Sequence, residues 1–208
     1  NGDWLNFAYD QLNDRYGYYI SSDKGESYSH FYGSKKMPTV FDETMAYQKS
    51  DGTVIMFART HAGELARSVS YDNGRTWTET ELSGIVSADT RFFVKKLPSG
   101  RVMLVVNDDA KTRKNMTVFL SEDDGENWQY KKCIDSRCDV SYPDADISGA
   151  RIFLTYDRSR CGHKEILFAS FTESEIIENK EIEITIVSKP KEVPLKNDVK
   201  KAVEDNKI

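Results

Sequence analysis

The cysteines and histidines of this sequence are the first residues to consider for metal or redox chemistry. Cys133 and Cys138 are close enough in the chain to form a disulfide, but their spacing fits no zinc motif, and Cys161 lies further along. The histidines are scattered and are expected at surface or turn positions: His30, His61 and His163. Neither residue type forms a metal-binding pattern, so the sequence predicts no metal site and no cofactor.

Three aspartates recur within one motif, S-x-D-x-G-x-x-(W/Y), whose copies are offset by 49 and 51 residues. In such a turn the Asp side chain accepts hydrogen bonds from turn amides, and the Gly adopts a positive φ without steric cost. The closing Trp or Tyr can pack beside a hairpin. We therefore predict that each motif joins two antiparallel strands and that its aspartate is structural: Asp23, Asp72 and Asp123.

The runs that flank these turns have the composition and alternation of β-strands. Three units of four strands are predicted, at 44–48, 53–59, 64–70 and 77–82; at 91–97, 101–107, 115–121 and 128–133; and at 141–146, 151–156, 165–171 and 182–188. A short helix is expected within 172–179, and two strands of a further unit near 16–22 and 28–32. A four-stranded meander of about fifty residues has the size of a propeller blade. The predicted fold is all-β, a β-propeller with about three and a half four-stranded blades present.

Size and composition limit the possible classes of protein. The 208 residues are 38% hydrophobic and 12% aromatic, enough to build a core. The net charge of −5 is spread along the chain and argues against nucleic-acid binding. No run of eighteen apolar residues is present, so no membrane span is expected.

Domain limits and the cellular compartment are less sharply defined by the sequence. We assign residues 1–190 to a partial propeller and 191–208 to a charged C-terminal tail. A partial ring exposes two apolar blade faces, which soluble monomers rarely do, so a missing N-terminal half or a second chain is expected to cover them. No signal peptide is visible, but the chain begins with Asn1 rather than Met, so the compartment, extracellular or cytoplasmic, stays open.

The three turns resemble the Asp boxes, or BNR repeats, of the sialidase superfamily, and the resemblance extends from about Tyr16 to Glu178. Three stretches are more specific. Residues 42–59 resemble the segment from the active-site glutamate to an arginine, 113–118 the segment with a further arginine, and 140–156 the segment with the nucleophilic tyrosine. The residues that follow the tyrosine resemble those of a poorly characterised bacterial branch of the family. The resemblance implies a sialidase-type ring of six blades, of which this chain is a fragment.

The same resemblance implies the roles of individual residues. Tyr142 would be the nucleophile and Glu43 its base, while Arg59 and Arg113 would bind a sugar carboxylate through charge-assisted hydrogen bonds. Sialidases are known exceptions to the use of two carboxylates, and a phenol needs a base because it is protonated at neutral pH. Arg91 starts an inner strand and is expected to face the central pocket, whereas Arg158 and Arg160 are expected to form structural ion pairs rather than to face it. The family also uses an earlier arginine and an aspartate acid/base, which the 42 residues before Glu43 do not reveal.

Three functions remain open at this stage. The first is a sialidase-like exo-glycoside hydrolase that cleaves a terminal sialic acid or other acidic sugar, with the site possibly incomplete in this chain. The second is a non-catalytic glycan-binding Asp-box propeller, and the third is a structural or partner-binding propeller. Because one fold hosts many functions, the geometry of the site must decide between them.

Overall fold

The computed structural model describes residues 2–10 and 12–188, so the tail predicted at 191–208 lies outside the described residues. In this part of the chain the first sheet contains β1 (Trp4–Ala8), β2 (Arg15–Ser21) and β3 (Ser29–Lys35). The second contains β4 (Thr44–Gln48), β5 (Val54–Ala58), β6 (Glu64–Ser70) and β7 (Glu81–Val86). The third contains β8 (Phe93–Lys96), β9 (Val102–Asn107), β10 (Met116–Ser121) and β11 (Tyr130–Asp135). The fourth contains β12 (Val140–Ser148), β13 (Arg151–Arg158), β14 (Glu165–Thr172) and β15 (Ile184–Ser188).

Each sheet is an antiparallel meander in which the strands pair in chain order. The all-β prediction is confirmed, and so is the short helix, α1 (Glu173–Ile177), which a capping box between Thr172 and Glu175 initiates. Among the described residues no helix is long and apolar enough to cross a membrane.

Two details of the predicted strands were wrong. The first sheet has three strands rather than two, because Trp4–Ala8 pairs with β2 from Trp4 opposite Ser21 to Ala8 opposite Gly17. The outermost strand of the second sheet begins at Glu81 rather than Trp77. The cause is that Trp77 stays within the turn, where its Nε1 donates a hydrogen bond to the Gly74 carbonyl at 3.1 Å.

The three repeated turns have the predicted geometry. Asp72 Oδ1 accepts a hydrogen bond from the Thr76 amide at 2.8 Å, and the Ser70 hydroxyl accepts one from the Gly74 amide at 2.8 Å. The other two turns repeat both contacts at 2.8–2.9 Å, from Ser27 and Gly25 and from Asn127 and Gly125. Each of these turns therefore supplies the hydrogen-bond donors for its own carboxylate.

The core lies between successive sheets. The middle strands β5 and β9 are buried along their whole length, because a neighbouring sheet packs on each face. Tyrosine hydroxyls add fixed contacts between sheets and turns. Tyr18 donates to the Arg75 carbonyl at 3.0 Å, and Tyr47 donates to the Asp124 carbonyl at 3.0 Å. A Cβ at Gly125 would clash with the Tyr47 hydroxyl, so this turn requires glycine for space as well as for its φ of 84°.

The two end sheets each keep one apolar face open. In β2, Tyr18 is buried against Trp77 of the next unit, whereas Tyr19 points the opposite way and is 38% exposed. In the last sheet Leu167 is buried, whereas its neighbour Ile166 is 43% exposed. Tyr19 and Ile166 are thus exposed apolar side chains on the two end sheets, and the covering of these sheets by further blades or a second chain stays a prediction.

Candidate active site

The candidate site lies where the first strands of three sheets come together. Strand β8 contacts both β4 and β12. Glu43 directly precedes β4, Arg91 lies two residues before β8, and Tyr142 is the third residue of β12. Arg59 follows β5 and is held beside Glu43 by a hydrogen bond from its amide to the Glu43 carbonyl at 3.0 Å. The fold thus gathers residues that are far apart in the sequence.

Arg59 is the centre of the network and is only 2% exposed. Its Nη1 lies 2.8 Å from Glu43 Oε2, and its Nε lies 2.5 Å from Asp89 Oδ1. The same Nη1 donates a hydrogen bond to the Tyr142 hydroxyl at 3.3 Å. His61 Nδ1 extends the network, 2.6 Å from the second oxygen of Asp89. The predicted nucleophile and the predicted base therefore contact one nitrogen atom.

The charges in this network support one another. Burial lowers the pKa of Arg59, but its hydrogen bonds to Asp89 and Glu43 outweigh burial and raise the pKa above its ordinary value. Burial raises the pKa of Asp89, whereas hydrogen bonding to Arg59 lowers it, and the net result is a pKa below the usual range. Arg59 and Asp89 are therefore a charged pair at neutral pH.

Tyr142 has an unusual backbone and two cations beside its ring. Its φ is 58°, in the left-handed region, although it is a bulky residue and precedes Pro143. The register between β12 and β13 is irregular between Ser141 and Asp144, so Tyr142 lies in a bulge. The guanidinium carbon of Arg160 is 3.6 Å from the ring centroid and that of Arg113 is 5.6 Å away.

The five residues singled out from the sequence are placed as follows. Arg59 contacts both Glu43 and Tyr142, and Arg113 joins them through the Tyr142 ring and through a long 3.5 Å contact to the Asp89 carbonyl. Arg91 lies 3.6 Å from Asp144 and lines the pocket in front of Glu43. Their catalytic and binding roles remain predictions.

Sequence reasoning assigned no role to Asp89 and gave little weight to Arg160. Asp89 precedes an inner strand, as Glu43 does, and this equivalent position was the feature of the sequence that could have identified Asp89 as a site residue. Arg160 lies on the turn between β13 and β14, and nothing in its local sequence indicates that it reaches Tyr142. In the described residues no group of three or more His, Cys, Asp or Glu side chains could hold a metal ion, and the three cysteines are exposed free thiols.

Two cavities flank Tyr142. The first, which we call the Glu43 pocket, has a volume of about 280 Å³ and is lined by Glu43, Tyr142, Arg91, Asp42, Tyr9 and Phe92 among others. The second, which we call the Arg160 pocket, has a volume of about 310 Å³. It is lined by Arg113, Asp139, Ser141, Ser159, Arg160, Cys161 and Gly162. Tyr142 stands between them, since it lines the first and its ring contacts both arginines of the second.

Comparison with known proteins agrees with this architecture. Residues 43–153 match the model of the BNR repeat-like domain. No curated protein shows a significant match to the sequence. Among solved structures, the intramolecular trans-sialidase from Ruminococcus gnavus superposes with a TM-score of 0.71 at 20% identity, over 84% of this chain and 41% of that one. The leech intramolecular trans-sialidase gives 0.71 at 20% identity, over 84% and 30%.

A further solved structure shows that the fold extends beyond sialidases. The exo-β-1,3-galactanase from Phanerochaete chrysosporium gives a TM-score of 0.59 at 14% identity, over 82% of this chain and 44% of that one. At these identities the similarity establishes the fold, and the predicted sialidase-type β-propeller is confirmed. The chain spans less than half the length of the structures that it matches.

Proposed function

The chain belongs to the BNR repeat-like family, and on this premise we propose that it forms part of a sialidase-like exo-glycoside hydrolase. The proposed substrate carries a terminal sialic acid or another acidic sugar. The observation that carries the proposal is the convergence of Glu43 and Tyr142 on one nitrogen of Arg59, at 2.8 and 3.3 Å. These two side chains come from different sheets, 99 positions apart in the chain.

The hydrogen bonding suits a phenol that acts as a nucleophile. Arginine has only donors, so the Tyr142 oxygen is the acceptor in its hydrogen bond with Arg59. The phenol proton then remains free to pass to a base, and Glu43 is the carboxylate that shares Arg59 Nη1 with this hydroxyl. A neutral tyrosine that attacks beside a substrate carboxylate avoids the repulsion that a carboxylate nucleophile would meet, which is the exception known for sialidases.

The backbone of Tyr142 also favours a functional role over a packing role. A left-handed φ at a bulky residue costs about 1–3 kcal/mol and tends to persist at active sites, where the surrounding structure holds it. The bulge at residues 141–144 is of the kind that re-aims a side chain next to a site. The bulge directs the Tyr142 hydroxyl to Arg59, whereas regular pairing of β12 with β13 would leave this side chain in the normal strand alternation.

The structurally similar proteins support an acidic sugar as one substrate class. The R. gnavus protein is an intramolecular trans-sialidase in complex with oseltamivir carboxylate, and the leech enzyme is complexed with 2,7-anhydro-Neu5Ac. The fungal galactanase is complexed with β-1,3-galactotriose, so the fold by itself does not select the sugar. The arginines around Tyr142 are the reason to prefer an acidic one.

The proposal also concerns the parts of the protein that surround this chain. An acid must protonate the leaving oxygen. We propose that this acid belongs to further blades of the same protein or to a second chain, which would cover the end sheets near Tyr19 and Ile166. Covering those faces would also bury the exposed apolar side chains of the two end sheets.

A non-catalytic glycan-binding propeller is the second candidate, and one distance favours it. Arg59 Nη1 is closer to Glu43 than to Tyr142, at 2.8 against 3.3 Å. In that arrangement Glu43 serves mainly as the ion-pair partner of Arg59, and the site would bind a glycan without turnover.

Hydrolysis and binding measured on the same protein separate the two candidates. We expect release of methylumbelliferone, a leaving group that departs without protonation by an acid, from an acidic glycoside, the sialoside or the glucuronide, and none from the galactoside. Tyr142→Phe should abolish this release while keeping binding of the free sugar acid, because only the nucleophilic oxygen is lost. Tyr71→Phe, at a side chain that is 78% exposed, is the matched control and should behave as wild type.

The outcomes assign the function directly. Full activity in Tyr142→Phe would overturn the nucleophile assignment. Binding of sugar acids without hydrolysis of any glycoside would favour the binding module, and wild-type protein that neither binds nor cleaves acidic sugars would refute both candidates.

A further inference from the structure

We infer that the free edge of β1 binds one more β-strand, which belongs to the same polypeptide and continues into β1 through the turn at Gly2. This strand would complete the first sheet and form a further wall of the Glu43 pocket. The inference goes beyond the proposed function, because it concerns an interaction surface and requires no ligand and no turnover. Three features of the first sheet support it: its strand order, its N-terminal turn and the cavities along β1.

The position of the Asp box identifies the strand that the first sheet lacks. In each sheet with a box, the serine of the box ends the strand before it: Ser21 in β2, Ser70 in β6 and Ser121 in β10. Since β6 and β10 are the third strands of their sheets, β2 is equivalent to a third strand and β1 to a second strand. The equivalents of β1, which are β5 and β9, pair on both sides, whereas among the described residues β1 pairs with β2 alone. The strand that is lacking is therefore the innermost one.

Gly2 has the conformation of the turn that joins an innermost strand to a second strand. Each described sheet has a glycine of positive φ two residues before its second strand, with values of 86°, 92°, 92° and 58° at Gly2, Gly52, Gly100 and Gly149. In the three complete sheets this glycine lies in a hairpin turn, and the Gly52 amide closes its turn by donating to the Lys49 carbonyl at 3.1 Å. In the sequence, Asn-Gly is the dipeptide most typical of such turns. The backbone therefore enters β1 as it enters β5 and β9, from an antiparallel strand.

Strand β1 has none of the features that protect natural sheet edges from pairing. Its sequence, Trp-Leu-Asn-Phe-Ala, contains no charged residue and no proline, and its pairing with β2 is continuous from Trp4 to Ala8. In contrast, the outermost strands β3, β7, β11 and β15 each pair with a register shift. A regular, uncharged edge presents its amides and carbonyls to a further strand. Main-chain hydrogen bonds would supply most of the affinity, so the edge should accept strands of different sequence.

Two cavities provide space for this strand between β1 and β4. One is the Glu43 pocket. The other, which we call the Leu5 cavity, has a volume of about 320 Å³ and is lined by Leu5 and Phe7 of β1 and by Ala46, Tyr47 and Gln48 of β4, among others. Phe7 lines both cavities, and every residue of β4 lines one or the other. Elsewhere in the structure adjacent innermost strands touch, since β8 contacts both β4 and β12. The cavities therefore suit one extended strand, with small or apolar side chains towards Ala46 and Phe7.

The added strand would reach the candidate site. Because it runs antiparallel to β1, its first residues would lie beside Ala8 and its last beside Trp4. Ala8 and Tyr9 line the Glu43 pocket. Other innermost strands carry site residues at this same end, with Glu43 directly before β4 and Arg91 two residues before β8. The beginning of the added strand would therefore border the pocket in front of Glu43.

Grafted strands test the edge directly. Two extended proteins carry nine additional residues ahead of Asn1, a copy of residues 42–50 in one and of residues 90–98 in the other, which places each innermost strand at its own distance from the turn glycine. In matched controls the copies of residues 45 and 46, or of 94 and 95, are replaced by proline, which cannot donate to a ladder. We expect each extended protein to melt at least about 2–4 °C above its proline control.

Hydrogen exchange locates the added strand. The β1 amides that face the free edge should exchange about tenfold or more slowly in the extended proteins than in the proline controls, because pairing removes these amides from solvent. The amides of β15, the outermost strand of the last sheet, should exchange at the same rate in all of these proteins.

A substitution in the receiving sheet provides an independent check. In Ala46→Lys a long, charged side chain would enter the Leu5 cavity, so the rise in Tm and the protection of β1 should both be lost. Ala150→Lys adds the same charge at an exposed position in the turn between β12 and β13 and should retain both effects. Each variant is compared with its own proline control, so its effect on the stability of the chain cancels.

The inference is overturned if neither grafted strand protects β1 more than its proline control does, or if protection survives Ala46→Lys. It is also overturned if β1 is already protected in the chain without an extension. In that case sedimentation as a dimer would identify a second copy as the occupant, and a monomer would identify another segment of the chain. None of these measurements uses a substrate, so the hydrolase proposal can fail while this inference holds, and the reverse.

Discussion

The carboxylates of the Asp boxes and those of the Arg59 network are stabilised in different ways. In the box of residues 70–77, Asp72 is bound by amides and hydroxyls only two to four residues away. In the candidate site, Glu43 and Asp89 are bound by a guanidinium that is 16 and 30 residues away, and Tyr142 reaches the same group across 83 residues. A box is therefore complete within its own hairpin, whereas the site exists only after three sheets have packed together.

The difference is also electrostatic. Hydrogen bonds from the turn lower the pKa of Asp23 and of Asp123 to about 2. Burial raises the pKa of Asp72, but the hydrogen bonds of its turn outweigh burial and bring this pKa to about 2 as well. In the site, a buried cation and two carboxylates stabilise one another, so loss of one member leaves the others without a counter-charge. The box should therefore tolerate mutation much better than the site, and the following predictions measure that contrast.

The largest expected effect follows from removing the centre of the network. Arg59→Met keeps the volume of the side-chain stem but leaves Glu43 and Asp89 facing each other without a cation. Breaking a buried ion pair from one side costs about 3 kcal/mol or more in free energy of unfolding, measured by urea denaturation. Arg75→Met is the control, because Arg75 is 46% exposed and its pair with Asp3 at 3.0 Å should contribute about 0–1 kcal/mol.

Equal destabilisation by Arg59→Met and Arg75→Met would contradict the proposed difference between the site and the boxes. It would mean that the Arg59 network is no more than another surface ion pair. If adding Glu43→Gln restores part of the stability lost in Arg59→Met, the difference between the two regions is defined more sharply, because the second substitution removes one of the uncompensated charges.

An intermediate effect is expected where a box meets the neighbouring sheet. Tyr47→Phe removes the hydrogen bond from the phenol to the Asp124 carbonyl, in a side chain that is only 6% exposed. A buried hydrogen bond of this kind contributes about 1 kcal/mol, and the carbonyl would lose its partner. The free energy of unfolding should fall by that amount, whereas Tyr71→Phe should leave it unchanged. No change in Tyr47→Phe would show that the box is independent of the packing between sheets.

The same contrast explains what the sequence could predict. The boxes and most strands were predicted because their determinants are local: an alternating run, an Asp, a Gly and an aromatic residue at fixed spacing. Strand β1 was missed because Trp4–Ala8 lies outside the hairpin of residues 16–32 that the first box marks. In the site, the residue types came from family resemblance, but the pairing of Arg59 with Asp89 did not. The contact of Arg160 with the Tyr142 ring could not be predicted either, because both contacts depend on how separate hairpins pack.

The backbone of Tyr142 shows the same limit. A tyrosine before proline is expected to be extended, and the sequence gives no reason to place it at a φ of 58°. The conformation arises from the bulge between β12 and β13 and from the contacts of the ring with arginines on other segments.

The smallest expected effect concerns the pH dependence of a box, because solvent around the partly exposed Asp72 screens its charge. The pKa of Asp72 is about 2 in the folded protein, against about 4 in an unfolded chain. Its carboxylate therefore contributes stability that is fully present above pH 4 and is lost as the pH falls towards 2. Asp72→Asn keeps an acceptor for the Thr76 amide but removes the charge. Its Tm should lie below that of wild type at pH 7, and the difference should shrink between pH 4 and pH 2.

Thermal melts of both proteins at several pH values measure this difference, with Glu79→Gln as a control that removes an exposed carboxylate outside the box. A difference in Tm that stays constant down to pH 2 would mean that hydrogen-bond geometry, and not the charge of Asp72, stabilises the turn. In that case hydrogen-bond geometry would stabilise the boxes without help from charge, and the boxes would differ from the Arg59 network more sharply than their pKa values indicate.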